Sequence, residues 1–277
     1  ERSGILFAWM GPEGSTPPPL PAIDCFQAPG THTFAFKGLW HCNWLQAFEV
    51  GIDPAHASFL HRFFKDASLE DAYGKQFRGA SAGEIEGEKW PMTRVMREFD
   101  QPKITAEPMP YGMRLTALRP MTDALTHVRV TNAIFPHTFV IPLSETMTIT
   151  QMHVPVDDTH TMKIGVDAIP SEGAERDKET LDHFARYGDY NPAEHHDELF
   201  VERKWPEDPS LQLTPAQDYV AIMGQGEIAE REHVVLELVG IDVTHQRQQT
   251  GLMVDQQDGG IVFVETDVGF AHDGLSE

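Results

Sequence analysis

The chain has 277 residues, an ordinary hydrophobic content of 40% and a formal net charge of −22. An acidic surface of this kind repels phosphate backbones, which argues against general nucleic-acid binding. No apolar run approaches the roughly 20 residues of a membrane-spanning helix, so no membrane association is predicted. The two cysteines, Cys25 and Cys42, form neither a disulfide framework nor a CxxC motif, which favours a reducing, cytoplasmic location.

The first 30 residues read as the end of one module followed by a linker. The opening sequence ERSGILFAWMGPE is typical of the middle of a strand, with its apolar run closed by Gly11-Pro12. We therefore expect the chain to lack an N-terminal part. The next stretch, GPEGSTPPPLPAID, is too proline-rich for a helix or a central strand. We therefore expect two parts: residues 1–30 are the end of a preceding module and a linker, and residues 31–277 form one domain.

Residues 43–64 carry apolar side chains at roughly helical intervals. Pro54 interrupts this pattern and is accepted as the first residue of a new helix, with Asp53 as its N-cap. The region therefore predicts two helical pieces with a break at 51–54. The glycine-rich, polar residues 67–90 that follow predict a loop.

A strand-like alternation occurs at THTFAFKG (31–38) and again in a long β region after the helical pieces. Its strand-length runs are TRVMREF (93–99), KITAEPM (103–109), MRLTALRP (113–120), THVRVTNAIF (126–135), TFVIPLS (138–144), MTITQMHVPV (147–156) and TMKIGVDAI (161–169). Short connections between them favour an antiparallel meander. A charged surface helix at 174–186, a loop at 195–209 and helices at 214–223 and 229–238 complete an α+β fold.

Two histidines and two acids lie within one run, as Glu49, Asp53, His56 and His61. Two histidines and one carboxylate on one face of a metal are the ligands of non-heme Fe(II) oxygenases. Histidines five residues apart lie about 140° apart on a straight helix, so the break near Pro54 has to bring them together. Asp53 could hydrogen-bond the ring of His56. The alternative is that Asp53 only caps the helix and both histidines serve packing.

Other polar residues offer weaker candidates. His153 and His160, together with the cluster His195-His196-Asp197, are a possible zinc site. Arginines on predicted strands could bind a substrate carboxylate with two hydrogen bonds. These are Arg94, Arg97, Arg114, Arg119 and Arg129. No GxGxxG, P-loop or GxSxG motif occurs, so nucleotide binding and serine hydrolysis have no support.

The segment NWLQAFEVGIDPAHASFLH closely resembles the iron-binding segment of Rieske non-heme iron ring-hydroxylating oxygenases. That family's pattern is an acid or Asn, three residues, Asp, two residues, His, four residues and His. Glu49, Asp53, His56 and His61 match every position. GILFAWMGPEGSTPPPLP is similar to the family's segment between the Rieske and catalytic domains. The central strands look like those of the phthalate and phenoxybenzoate dioxygenase branch, so the resemblance covers most of residues 4–160.

The resemblance implies Asp218 as the third ligand. In QDYVAIMGQGEIAERE, Gly226 follows Asp218 by eight residues and Arg231 follows five further on, as in that branch. Two features depart from the family. The chain lacks the C-x-H and C-x-x-H pairs that hold a Rieske cluster, and residues 160–212 and 233–277 follow the family poorly.

The resemblance implies a helix-grip domain (START-like or Bet v 1-like), with a curved antiparallel sheet of about seven or more strands and long helices. Residues 31–277 would form the catalytic domain, with Fe(II) held by His56, His61 and Asp218. Asp53 would link the iron to the electron donor, and Glu49 would support the site or handle protons.

It also implies a terminal oxygenase that hydroxylates or O-demethylates an aromatic, carboxylated substrate with O2. Electrons would come from NAD(P)H through a reductase or ferredoxin to a Rieske [2Fe–2S] cluster on a missing N-terminal domain or a partner chain. A homotrimer or hexamer is expected. The alternatives are a non-catalytic helix-grip protein that binds apolar ligands, and a metal-dependent hydrolase.

Overall fold

The computed structural model describes residues 1–20, 22–27, 30–61, 81–85, 87–143, 147–171, 173–175, 177–178, 181–182, 190–204, 214–230, 253–254 and 261–262. The α-helices are α1 (Asp24–Gln27), α2 (Trp44–Ile52), α3 (His56–Phe59), α4 (Met92–Glu98) and α5 (Thr214–Met223). Shorter turns are the 3-10 helices Pro192–His195 and Ile228–Glu230 and the π-helix Asp197–Val201. In this described part, no helix is long and apolar enough to cross a membrane.

The strands are β1 (Thr31–Trp40), β2 (Ser81–Ile85), β3 (Glu88–Pro91), β4 (Lys103–Met109), β5 (Gly112–Pro120), β6 (Thr126–Ile134), β7 (Thr138–Pro142), β8 (Thr148–Pro155), β9 (Thr161–Pro170), β10 (Met253–Val254) and β11 (Ile261–Val262). Seven of them form one antiparallel sheet in the order β1-β9-β8-β7-β6-β5-β4. The predicted meander is confirmed from β4 to β9, and β1 pairs with β9 as an edge strand of the sheet.

Helix α2 packs between the sheet and α5. Its residues Phe48 and Ile52 join an apolar cluster with Phe139 of β7 and Ile149 of β8. Ala47 belongs to a second cluster that includes residues of α5. The opposite face of the sheet is covered in part by α1. The space between α2, α5 and the sheet therefore lies inside the fold.

The ends of α2 follow from local sequence. The side chain of Asn43 accepts from Leu45 N–H at 2.9 Å, and the Gln46 side chain accepts from Asn43 N–H at 3.2 Å, which together form a capping box. Gln46 also donates to the carbonyl of Gly226 at 2.8 Å, which ties α2 to the end of α5. Pro54 then prevents α2 from continuing.

One strand prediction is wrong. Residues 93–98 lie in α4, in which Met92, Val95 and Met96 are buried, and Phe99 is its C-cap. Their spacing of three and four residues is that of one helix face, and Pro91 precedes the first turn as its N-cap. The sequence of a short apolar run is compatible with either a strand or a helix. Here the burial of Met92, Val95 and Met96 on one face stabilises the helix.

Other differences lie outside the main sheet. The predicted loop at 67–90 contains the hairpin β2–β3, while residues 62–80 lie outside the described residues. The predicted loop at 195–209 begins with 3-10 and π turns. Helix α1 lies within the predicted linker and buries Cys25 against β9. Most of the predicted helix at 229–238 lies outside the described part, and no described helix exceeds the ten residues of α5.

Candidate metal centre

The structure brings together the side chains of His56, His61 and Asp218. One ligand atom from each lies within 4.8 Å of the others, and no further group of this kind occurs among the described residues. Nε2 of His61 is 3.1 Å from Oδ1 of Asp218, and Nε2 of His56 is 3.9 Å from the same oxygen. The two imidazole rings are nearly perpendicular, with centroids 5.1 Å apart.

The early end of α3 explains how histidines five residues apart converge. Helix α3 is a single turn that begins at His56 and ends at Phe59. His61 lies beyond that end, in a turn, so the angular spacing of a straight helix does not apply to this pair. Both rings therefore face the same point beside α5.

Asp53 fixes the orientation of His56 through three contacts. Its carboxylate accepts from Ala55 N–H at 2.8 Å and from His56 N–H at 3.0 Å. These are the contacts of a capping residue, but α3 begins at His56, with Ala55 in the N-cap position, rather than at Pro54 as predicted. Its backbone carbonyl accepts from Nδ1 of His56. The ring is thus supported by the carbonyl rather than by the carboxylate, and Nε2 remains available for a metal.

Gln217 performs the same task for His61. Its Oε1 lies 2.8 Å from Nδ1 of His61, which leaves Nε2 facing Asp218 at 3.1 Å. Helix α5 therefore supplies both the carboxylate and the group that orients the buried histidine. Sequence analysis missed Gln217, although its position beside Asp218 on one helix was the available signal.

The charge states of the group suit a cation. Burial raises the pKa of Asp218, but His61, His56 and Lys163 outweigh it and hold that pKa at about 2. Burial lowers the pKa of His56, which keeps its imidazole neutral. Nε2 of His61 and Oδ1 of Asp218 are buried without hydrogen-bond partners in the part of the chain that is described. Burying two polar atoms without partners is unfavourable, and a metal ion between them would satisfy both.

Arg119 holds the break between α2 and α3. This buried arginine of β5 donates to the carbonyl of Pro54 at 2.8 Å and approaches Ser58 Oγ at 3.3 Å. It also donates to the carbonyl of Phe99 at 2.9 Å. Burial and the charge of Arg129 lower its pKa to about 10, while Asp53 opposes that shift. The guanidinium thus connects the histidine segment to the sheet.

The three side chains open on a cavity whose empty space, including the part open to solvent, is about 940 Å³. Its lining is mostly apolar. We call the side formed by α2, α3 and α5, with His56, His61 and Asp218, the helical wall. We call the polar side formed by β6, β8 and β9 the sheet wall; it consists of Arg129, Gln151, His153, Lys163 and Asp167.

The sheet wall carries strongly perturbed groups. Burial raises the pKa of Asp167 to about 8, although Lys163 opposes this. Burial lowers the pKa of Lys163, and it lowers that of His153 well below its usual value. Arg129 and His153 of this wall were candidates from the sequence, but Lys163 and Asp167 were not, because they alternate with apolar residues, a pattern that normally means a solvent-facing side.

The remaining sequence candidates fall in different places. Glu49 is buried on α2 and its carbonyl accepts from Asp53 N–H at 3.2 Å, but Glu49 is not among the residues that line the cavity. Arg129 lines the cavity, whereas Arg114 is exposed and faces an acidic side chain of the neighbouring strand. Arg94 and Arg97 lie on α4 rather than on a strand.

The alternative zinc site does not assemble. His153 lies in the sheet wall, against the ring of Phe139. His160 and His196 instead lie beside His41, with ring centroids 5.5 and 6.1 Å from that of His41. Among the described residues, the ligand atoms of these histidines do not form a group of three within 4.8 Å, as those of His56, His61 and Asp218 do.

The chain is similar in sequence to a known domain family and to oxygenase subunits. The profile of the family described as LigXa C-terminal domain like matches residues 8–188, which include His56 and His61 and end before Asp218. The chain is 32% identical over 166 residues to the oxygenase subunit of phthalate 4,5-dioxygenase from Pseudomonas putida, covering 58% of this chain and 34% of that protein. It is 30% identical over 179 residues to the oxygenase subunit of a tert-butanol monooxygenase / tert-amyl alcohol desaturase from Aquincola tertiaricarbonis, covering 60% and 34%.

The chain thus spans about a third of the length of these curated relatives. Among solved structures, it is similar to the terminal oxygenase of carbazole 1,9a-dioxygenase from Nocardioides aromaticivorans, with a TM-score of 0.34, 15% identity and coverage of 73% and 60%. A caffeine-bound NdmA mutant from Pseudomonas putida matches with a TM-score of 0.39, 14% identity and coverage of 74% and 52%.

Proposed function

The chain belongs to the LigXa C-terminal domain like family, within the catalytic domains of Rieske-type oxygenases, and from this premise we propose that it activates dioxygen at a mononuclear Fe(II). The proposed reaction is hydroxylation or O-demethylation of an aromatic, carboxylated substrate. The observation that carries the proposal is the convergence of His56, His61 and Asp218 within 4.8 Å.

The donor set favours iron over most other ions. Two imidazoles and one carboxylate on one side of a metal leave open positions, which is the arrangement of Fe(II) oxygenases. When bound, Fe(II) supplies the positions at which dioxygen is activated beside a substrate. The chain's own contribution is to hold Nε2 of each histidine in place, through Asp53 and Gln217, and to provide a mostly apolar cavity beside them.

Asp53 is our candidate for coupling the iron to its electron donor. It is half-buried, its carbonyl accepts from Nδ1 of His56 and its carboxylate accepts from His56 N–H, so the carboxylate is placed between the metal ligand and the protein surface. The donor would be a Rieske [2Fe–2S] cluster, reduced from NAD(P)H through a reductase or ferredoxin. Such a cluster needs two cysteines and two histidines. Cys25 and Cys42 are both buried in apolar clusters, so we assign the cluster to another domain or chain.

Further parts of the proposal follow the family. Residues 31–277 would be the catalytic domain and residues 1–30 would lead into it from the cluster domain, with the short α1 already packed on the catalytic sheet. A homotrimer or hexamer in the cytoplasm would bring the cluster of one subunit to the iron of the next. Glu49 would support α2 beneath the site.

Elemental metal analysis after anaerobic purification tests the proposal. We expect roughly one iron per chain, lost in Asp218→Ala and kept in the matched control Asp123→Ala, which removes an exposed carboxylate. Iron-loaded protein should then consume dioxygen with an aromatic acid when a Rieske donor and reductase are added. Absence of iron from the wild type would favour a ligand-binding protein. A different metal held by the same three residues would favour a hydrolase.

A further inference from the structure

Lys163 occupies an unusual position in the sheet wall. It lies on β9 with Gly38 of β1 on one side and His153 of β8 on the other. Only 5% of the residue is exposed, and it lines the same cavity as the three residues of the helical wall. The lysine therefore faces the space in which a substrate would lie.

Within the part of the chain that the structure describes, the ammonium group of Lys163 makes no hydrogen bond or ion pair. Its one close contact is the ring of Trp40, whose centroid is 4.2 Å from Nζ. A lysine ammonium has three hydrogens to donate, and burying it without an acceptor is unfavourable. A cation–π contact offsets only part of this cost.

The neighbouring titratable groups do not supply the missing anion. Burial raises the pKa of Asp167 to about 8 and that of Cys42 to about 12, so both are protonated at neutral pH. Asp218 is charged, and its carboxylate is the largest favourable charge acting on Lys163, but Oδ1 of Asp218 faces the two histidines. The amino group of Lys163 thus lies at the cavity without a carboxylate in hydrogen-bond contact among the described residues.

We propose that Lys163, with the ring of Trp40 beside it, is the subsite that binds the carboxylate of an aromatic substrate and so holds the ring against the three residues of the helical wall. This inference rests on the proposed function and deepens it, because it assigns substrate selection to one residue. The apolar lining between the two walls, including Phe139 and Ile149, would contact the ring itself. Of the five arginines considered from the sequence, Arg129 also lines this cavity, so Lys163 is the residue tested first.

Paired probes test the subsite. Benzoate and benzamide have nearly the same shape and differ in charge, so titrating each into the iron-loaded protein isolates the contribution of a cation. We expect the wild type to prefer benzoate by at least roughly tenfold, the size of one charge-assisted hydrogen bond. Lys163→Met should remove that preference without changing benzamide affinity, and Lys163→Arg should keep part of it. Lys103→Met, which removes an exposed lysine of β4, is the matched control.

Thermal unfolding provides a second measurement. Because Met replaces a buried unpaired charge, Lys163→Met should have a midpoint equal to or above that of the wild type. Equal affinities of the wild type for benzoate and benzamide would overturn the subsite. An unchanged preference in Lys163→Met, or a midpoint several degrees below that of the wild type, would overturn it as well.

The same preparations separate this inference from the proposed function. Lys163→Met should retain the iron content of the wild type. Iron in the wild type without a preference for benzoate would remove the subsite and leave the oxygenase proposal standing. A preference that depends on Lys163 in protein that binds no iron would support the subsite and overturn the oxygenase proposal.

Discussion

The helical wall and the sheet wall of the cavity differ in how their polar side chains are held. In the helical wall, Nδ1 of each histidine has a partner from a neighbouring segment, Asp53 for His56 and Gln217 for His61. In the sheet wall, Nδ1 of His153 and Oδ1 of Asp167 are buried without hydrogen-bond partners among the described residues. Side chains that are oriented by hydrogen bonds suit a metal site, because the ligand geometry must be set before the ion binds. Polar atoms without hydrogen-bond partners suit the reversible binding of a substrate.

Removing a histidine from the helical wall should have the largest effect. His61→Ala leaves one imidazole and one carboxylate, too few ligands for a stable site, so we expect iron to fall from about one per chain to near zero. Metal analysis checks this, with His160→Ala as the control because His160 lies outside the cavity. Full iron content in His61→Ala would remove this residue from the ligand set.

Arg119 connects the main sheet to the helical wall, so replacing it tests how far the metal site depends on the sheet. Arg119→Met removes donors from the carbonyls of Pro54 and Phe99. Loss of these buried, charged hydrogen bonds should cost about 2–4 kcal/mol of unfolding free energy and weaken iron binding. Urea denaturation measures the loss, and the exposed Arg114→Met should change stability by less than about 0.5 kcal/mol. Equal effects of the two variants would contradict this role.

Asp167 allows the sheet wall to be tested by pH. Burial raises its pKa from 3.8 to about 8, so the folded state keeps a proton that the unfolded state releases. This group's contribution to stability is therefore full below about pH 4 and declines as pH rises toward 8. Asp167→Asn cannot ionise, so its advantage over the wild type should grow by at least about 1 kcal/mol between pH 5 and pH 9. Parallel stability curves for the two proteins would show that Asp167 is ionised when folded.

The smallest effect on stability is expected at Asp53. Asp53→Ala loses the cap on Ala55 and His56 and should cost about 1 kcal/mol, while Asp53→Asn still caps and should cost a few tenths. Both should retain iron, because the carbonyl that supports His56 belongs to the backbone. If Asp53 couples the iron to its electron donor, Asp53→Asn should also slow electron delivery to the iron. Single-turnover reduction with a Rieske donor measures that rate. Normal delivery would leave Asp53 as a cap alone.

Local sequence predicted the helical wall well where its signals are short-range. Asp53 and Pro54 marked the break, whereas the metal site at His56 and His61 was implied by the resemblance to the family, because their spacing alone is too wide on a straight helix. The seven strands from 31–40 and 103–170 followed from alternation and turn residues. The run at 93–99 failed because seven residues fit two periodicities, and only the buried face of α4 distinguishes them.

The sequence by itself determined the seven strands of the main sheet, their order and the break before the two histidines, since proline and side-chain alternation act over a few residues. The tertiary structure decided which distant groups meet. Asp218 and Gln217 reach His61 only because α2 packs between the sheet and α5. Lys163 lies in a cavity rather than in solvent because the same helices cover that side of β9. Burial and proximity between distant segments are properties of packing, so no local pattern carries them.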